Sequence, residues 1–438
     1  MIGKIGIRKE NKDITEKRAP LTPDQVKELI DKYSLQVVVE PADNRIFKNE
    51  EYQQAGAQIS NNLKDCNIIF GVKEIPIPDF IPGNAYCFFS HTIKGQSYNM
   101  PMLKRILDLR NTLLDYEKVT DENGKRIIFF GKFAGYAGMI DTLWAFGQRL
   151  KWEGFETPFA EIKQALHYTS LEEAKNAIRL VGEKILKDGL PHELTPLICG
   201  FTGYGQVSQG AQEIFDLLPV QTITVAQLKR LPEEDSKSKN LLFKVVFKEE
   251  DMVKPINSAE AFNLHEYYEN PSKFRSKFEN YIPYLTILIN GIYWEPRYPR
   301  LLTKAYLKKF YQEQSDQKLK IIGDISCDIE GSIECTVKTT NSQNPVYVYD
   351  PLKDQTVDGW VGNGPVILAV DKLPAELPRE ASTSFGKALL PFVPALAKTN
   401  FNLPYSQLNL PDEFKKAVIA HQGFLTPPYK YLQKFISP

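Results

Sequence analysis

The sequence predicts an α/β protein made of two domains with parallel sheets. Three observations carry that prediction. Short apolar runs alternate with amphipathic stretches along most of the chain, the pattern of a parallel sheet crossed by helices. Leu197-Ile198-Cys199-Gly200-Phe201 leads into a glycine turn, Gly203-Tyr204-Gly205, followed by Ala211, Ile214, Phe215 and Leu218 at helical spacing. The chain's 438 residues exceed what one compact core accommodates, so two domains are expected.

Ile2 to Arg8 reads as the first strand. Thr22-Pro23-Asp24-Gln25 is a capping box with proline at the first helical position, opening a helix to about Tyr33. Strands follow at Gln36–Glu40, Ile68–Val72, Tyr86–Phe89, Thr112–Glu117 and Arg126–Phe130, with a helix around Met102–Leu109. Three of these strands run into ionisable residues: Lys73 and Glu74, His91, and Asp115 with Glu117. In an open α/β sheet the crevice lies beyond the carboxyl ends of the strands, so these groups are expected to converge there. Taken singly, each also reads as an ordinary polar residue where a strand meets solvent.

Gly131 to Gly138 reads as a glycine-rich turn, a hinge into a long amphipathic helix with Met139, Leu143, Phe146 and Leu150. A helix over Leu171–Leu186 precedes the glycine-turn unit. Strand, turn and helix there form the opening of a dinucleotide-binding βαβ unit. Gly203, Tyr204, Gly205, Gln206, Val207 and Ser208 would face the pyrophosphate, drawn by the N–H groups of the helix start. Ser208 stands where a third glycine is usual, with Gly210 two residues later. The next strand, Val220–Thr224, ends without the acidic residue that receives the ribose 2′-hydroxyl in NAD enzymes. Lys229 and Arg230 follow it and could meet a 2′-phosphate, which favours NADP(H), with NAD(H) as the alternative. The polar run Pro232–Asn240 reads as a loop. Later strands are expected at Thr286–Ile292, Leu319–Ser326 and Pro365–Val370, and a helix over Ser384–Leu396.

Composition excludes several classes. The 54 basic and 54 acidic side chains balance, which argues against an electrostatic nucleic-acid binder. Tyr281–Trp294 is too short and too polar to span a bilayer, so no membrane partner is expected. The five histidines and five cysteines show no metal-ligand spacing and no Cys-x-x-Cys pair. Reduced thiols, and an N-terminus without an apolar secretory core, lead to the expectation of a cytoplasmic address.

With those residues laid out, the chain resembles the lysine–2-oxoglutarate reductase half of α-aminoadipic semialdehyde synthase. More distantly it resembles lysine-forming saccharopine dehydrogenase and alanine dehydrogenase. The matching segments are EKRAPLTP (16–23), GVKEIP (71–76), FFSHTIK (88–94), LLDYEKV (113–119) and FAGYAGMI (133–140). They continue with GFTGYGQVSQGAQEIF (200–215), INGIYWEPRYPRLLT (289–303), IIGDISCDIEGSIECT (321–336) and DKLPAELPREAS (371–382). The resemblance implies two Rossmann-like domains with the active site in the cleft between them. It implies that residues 1–134 and 378–438 form the substrate domain, and 135–377 the dinucleotide domain. It assigns Lys73 and His91 to an acid–base pair, Arg18 and Arg126 to substrate carboxylates and charge tuning, Glu74 and Glu117 to acidic neighbours, and Asp324 to the cofactor side. The implied reaction condenses L-lysine with 2-oxoglutarate and reduces the imine with NADPH to saccharopine. An NAD-dependent enzyme running the other way, an alanine dehydrogenase and a nucleotide-sensing protein without catalysis are the alternatives.

Overall fold

The strands fall into two sheets of eight and one two-stranded ribbon in a computed structural model that describes residues 3–231, 239–314 and 317–436. Six strands come first: β1 (Lys4–Ile7), β2 (Gln36–Val39), β3 (Gln58–Ile59), β4 (Ile68–Phe70), β5 (Ala85–Phe88) and β6 (Thr112–Asp115). Then come β7 (Leu197–Thr202), β8 (Val220–Thr222), β9 (Leu242–Phe247), β10 (Val253–Pro255), β11 (Phe274–Ser276), β12 (Ile287–Asn290) and β13 (Ile321–Asp324). β14 (Val346–Asp350), β15 (Gln355–Asp358), β16 (Val366–Leu368), β17 (Val418–His421) and β18 (Phe424–Leu425) complete them. The chain divides into one unit of residues 1–130 and 378–438 and a second of 131–377.

In the first unit the order is β3-β2-β1-β4-β5-β6-β17-β18, parallel from β3 to β6 and antiparallel beyond. Its inner strands β4, β5 and β6 are buried along their whole length, as near-continuous apolar runs in a two-sided parallel sheet should be. The helix Pro23–Tyr33 starts on the expected Thr22–Gln25 capping box. Arg126–Phe130 is not a strand. Arg126 makes only an isolated bridge to Thr120, because the free edge of β6 is occupied by β17 from near the C-terminus.

The order of strands in β1 to β6 reverses between β1 and β4. The register there pairs Ile7 with Phe70, Phe70 with Cys87, and Phe88 with Asp115. The segments that follow these residues therefore leave the sheet at one level, at its carboxyl edge, where a doubly wound sheet binds ligands.

In the second unit the order is β15-β14-β16-β13-β12-β7-β9-β8, parallel from β16 to β8 with an antiparallel β14–β15 hairpin at the far edge. Gly131–Gly138 is helical rather than a turn: one helix runs Gly131–Trp152 and is buried on nearly every side. Its glycines serve packing. A Cβ on Gly135 would lie 2.0 Å from the Val207 carbonyl oxygen, and one on Gly210 would lie 2.2 Å from that of Lys132. The expected single helix over Ser384–Leu396 is two, Pro378–Leu389 and Val393–Lys398, parted at Pro391, which cannot continue the backbone hydrogen bonding. Of the expected loop Pro232–Asn240, residues 232–238 lie outside the described residues. Among the described residues, no helix is long and apolar enough to cross a membrane.

Candidate active site

The carboxyl edge of the first sheet collects charge. Arg8 and Glu10 follow β1, Lys73 and Glu74 follow β4, His91 follows β5, and Asp115 and Glu117 close β6. Glu10 is buried, and its two carboxylate oxygens accept the N–H groups of Val72 (2.7 Å) and Lys73 (3.0 Å). That clamp fixes the turn on which Lys73 and Glu74 stand. Burial raises the Glu10 carboxyl, against the charge of Arg8 and those two N–H groups.

His91 Nδ1 lies 2.8 Å from Glu74 Oε1, and Lys12 Nζ lies 3.4 Å from the same oxygen. Burial works against a charge on Glu74, yet the hydrogen bond and charge of His91, a backbone N–H and Lys12 outweigh it and hold the carboxyl down at about 2. The His91 backbone is left-handed (φ 51°), an uncommon conformation for a residue with a Cβ and one enriched where side chains must be aimed. Phe89 stacks on the imidazole, ring centroids 6.2 Å apart at 11°. With Nδ1 tied to a carboxylate, Nε2 is the nitrogen available for proton exchange with a substrate.

Lys73 is half-buried, and its charge reaches Glu16, whose carboxyl it helps to lower. Glu16 also holds Arg18 in a buried fork, Nε to Oε1 at 2.7 Å and Nη2 to Oε2 at 2.6 Å, with the guanidinium 4.2 Å above the Phe130 ring. Two of the three Arg18 nitrogens therefore serve Glu16, and a substrate carboxylate would have to use the remaining edge. Arg126 is half exposed, and its Nη2 lies 3.2 Å from Glu117 Oε1. Lys73, Glu74, His91, Arg18, Glu117 and Arg126 thus all belong to the first unit. The geometry joins His91 to Glu74 and Arg126 to Glu117. Glu10, Glu16 and Lys12, which orient or tune them, were not singled out from the sequence. The one sign of them was an unusual density of charge between residues 8 and 18.

In the second unit, the glycine turn joins β7 to the helix Gln206–Phe215. Gly203 has φ +75° and donates its N–H to the Phe247 carbonyl at 3.0 Å, so only glycine makes this bend without strain. Gly205 caps the helix with no side chain on the orphan N–H groups, and a Cβ built there would meet nothing within 4 Å. An open, uncapped helix start behind two glycines fits a dinucleotide pyrophosphate. Gln206 and Val207 begin that helix, and the buried Ser208 accepts from Gln212 (3.0 Å). The close approach usually given by the third glycine falls to Gly210, against Gly135.

Asp324 is buried rather than open to a cofactor. Its Oδ1 accepts from Asn290 (2.8 Å) and Ser326 (2.7 Å), and its Oδ2 from Thr336 (2.5 Å). Thr202 donates in turn to Asn290 Oδ1 at 2.7 Å. The network ties together the carboxyl ends of β7, β12 and β13, so Asp324 positions the backbone around the glycine turn. Burial raises its carboxyl against these three donors. The expected strand Val220–Thr224 is present as β8 (Val220–Thr222), one place further out than β9, which pairs directly with β7 from Leu197–Leu242 to Thr202–Phe247. Lys229 and Arg230 follow that outer strand and are exposed.

Residues 6–137 match the alanine dehydrogenase/PNT N-terminal domain. The chain is similar to α-aminoadipic semialdehyde synthase of Arabidopsis thaliana (37% identity over 99% of this chain, 41% of that one). It is also similar to the mitochondrial enzyme of Mus musculus (34%, 98% and 47%). It spans less than half the length of these relatives. A saccharopine dehydrogenase [NAD(+), L-lysine-forming] of Candida glabrata is 29% identical over 88% of this chain and 90% of its own. The fold is that of an L-alanine dehydrogenase structure, TM-score 0.62 at 18% identity, covering 99% of this chain and all of that one.

Proposed function

We propose that this chain condenses the ε-amine of L-lysine with the ketone of 2-oxoglutarate and reduces the imine to saccharopine. The observation that carries the reading is the His91–Glu74 pair beside Lys73 at the switch point of the first sheet. Similarity along nearly the whole chain to α-aminoadipic semialdehyde synthases supports it.

The chemistry asks for a neutral amine, a proton for the departing hydroxyl and a base to collect the ammonium proton. His91, with Nδ1 fixed by Glu74, exchanges protons through Nε2, and Lys73 is the second acid–base group. Saccharopine carries three carboxylates, so the site needs cations. The free edge of Arg18, the half-exposed Arg126 and Lys12 are the candidates. A nicotinamide nucleotide, held at the glycine turn of the second unit, supplies the hydride, and by microscopic reversibility the same groups serve the lysine-forming direction. All five cysteines are free thiols, which suits a reducing compartment and the cytoplasmic address we propose.

The test is nicotinamide oxidation followed at 340 nm (roughly the absorbance maximum of the reduced ring). Lysine and 2-oxoglutarate together, and neither alone, should drive it. Equal turnover with pyruvate and ammonia would instead make the chain an alanine dehydrogenase.

A further inference from the structure

We propose that Asn99 and Ser90 are positioning residues for His91: they fix the peptide that follows it, hold it left-handed and so keep its imidazole on Glu74. The inference deepens the proposed reaction, in which His91 is an acid–base group, and rests on that reading for its kinetic consequence alone.

His91 has a Cβ and yet sits at φ 51°. A residue keeps such a conformation only where its surroundings over-determine it. Here they do so at both ends of the following peptide. The Asn99 amide Nδ2 donates to the His91 carbonyl at 3.1 Å. The N–H at the other end of that peptide, on Thr92, donates to Ser90 Oγ at 3.4 Å. Ser90 is itself anchored. Its N–H donates to Asp115 Oδ2 at 3.1 Å, and its hydroxyl donates to the same oxygen. With its one proton given to Asp115, the Ser90 oxygen is left to accept from Thr92, whose hydroxyl lies 2.8 Å away. On the strand side, the Phe89 N–H is fixed to the Val72 carbonyl at 3.0 Å, beside the turn that carries Lys73 and Glu74. The strand end therefore cannot turn, and neither can the peptide beyond His91. Rotation about the N–Cα bond of His91 would swing Cβ, and with it the ring, off Glu74 Oε1, now 2.8 Å from Nδ1.

Asn99 is not placed there for its own helix. It occupies the N-cap position of the helix Met100–Asp108, where asparagine usually accepts a backbone N–H. Its backbone is instead helical (φ −98°, ψ −11°), and its side chain makes no cap. The amide reaches back eight residues to His91 from a buried position. Ser90 and Thr92 are fully buried too, so a partner lost here is not replaced by bulk water. The His91 side chain, by contrast, keeps 31% exposure. A fixed backbone under an open ring is what a proton carrier needs.

Two readouts test this. The first needs no substrate: the ring-nitrogen NMR spectrum of histidine-labelled protein at about pH 8.5, above the ordinary imidazole range. His91 is assigned by its loss in His91→Gln. The wild type should carry the ring proton on Nδ1, facing Glu74. Asn99→Leu removes the donor at nearly the same side-chain volume, and Ser90→Ala removes the acceptor for Thr92. Both should move a large share of that proton to Nε2. The second readout is turnover with lysine and 2-oxoglutarate. Both variants should lose about ten- to hundredfold in kcat, with substrate KM values unchanged. Asn99→Ala, which only removes atoms, takes the place of the leucine variant where that does not fold. Folded variants that keep the proton on Nδ1 overturn the inference, even where kcat falls along with the thermal midpoint. A wild type with its proton already on Nε2 overturns it as well. A wild type that does not turn over lysine with 2-oxoglutarate would overturn the proposed reaction, and the tautomer would still decide the clamp.

Discussion

In each sheet six parallel strands run outward from a switch point, β1 beside β4 in one unit and β7 beside β12 in the other, and an antiparallel pair closes one edge. The two switch points carry opposite chemistry. The first is ringed by Arg8, Glu10, Lys73, Glu74 and His91. The second offers a glycine turn, an uncapped helix start and a buried network of Thr202, Asn290, Asp324, Ser326 and Thr336 in which the carboxylate is fully occupied. One sheet plan thus presents side-chain charge in one unit and bare backbone donors in the other. Proton chemistry needs groups that titrate, whereas a pyrophosphate needs close backbone approach and no competing anion.

The largest effect that could break this comparison is on turnover. Lys73→Met and His91→Gln should each lower kcat by about 10²–10⁴, the usual weight of one positioned acid or base. Both should leave the affinity for reduced nicotinamide nucleotide unchanged, because neither residue belongs to the unit that carries the glycine turn. Near-normal turnover in either variant would remove that residue from the acid–base pair. A parallel loss of nucleotide binding would show that the division of labour is wrong.

The next effect separates two kinds of glycine. Gly135→Ala places a Cβ against backbone at 2.0 Å, while Gly205→Ala places one in open space. The first should destabilise by about 1–3 kcal/mol, as overpacking does, and lower the thermal midpoint by several degrees. The second should keep the midpoint within about a degree and weaken nicotinamide-nucleotide binding instead. Calorimetry with a cofactor titration checks both. Equal loss of stability in the two variants would mean that the turn, too, is a packing device.

Those glycines also show how far the sequence could be read. Gly131–Gly138 and Gly203–Gly205 look alike as strings, yet one is helical and packed and the other is a left-handed bend. Local spacing does not reveal what a glycine touches. Apolar runs such as Leu197–Thr202 and Ile68–Phe70, and the Thr22 capping box, were legible because period and cap chemistry are local signals. The ionisable strand ends were legible for the same reason. The sheet order was not. Leu242–Phe247 is a plain buried-strand run, but nothing local says that it inserts between β7 and β8. The Arg18–Glu16 fork and the Glu10 clamp on Val72 and Lys73 also needed coordinates, since long-range pairing or rotamer choice decides them.

The smallest effect compares two carboxyls within the first unit. Glu74, just past β4, and Asp115, at the end of β6, are both pushed up by burial, and their neighbours decide the outcome. At Glu74 the His91 bond and charge, with Lys12, win and hold it at about 2, below its ordinary 4.5. At Asp115 the charge of Glu117 adds to burial, the Ser90 hydroxyl and N–H only partly oppose it, and the carboxyl rises to about 6 from 3.8. The signs of linkage are therefore opposite. The lowered Glu74 contributes stability above pH 4.5 that is lost as pH falls through about 2. The raised Asp115 contributes stability that is full below pH 3.8 and lost as pH rises through about 6. Relative to wild type, Glu74→Gln should cost about 1–2 kcal/mol at pH 5 and little near pH 2, allowing for partial solvent screening. Asp115→Asn should match wild type near pH 4 and gain on it by pH 7, since the amide still accepts from Ser90 and carries no buried charge. Urea midpoints at about pH 2, 4, 5 and 7 measure both differences. Profiles that run parallel for the two variants would show that burial alone, and not the partners at each strand end, sets these carboxyls.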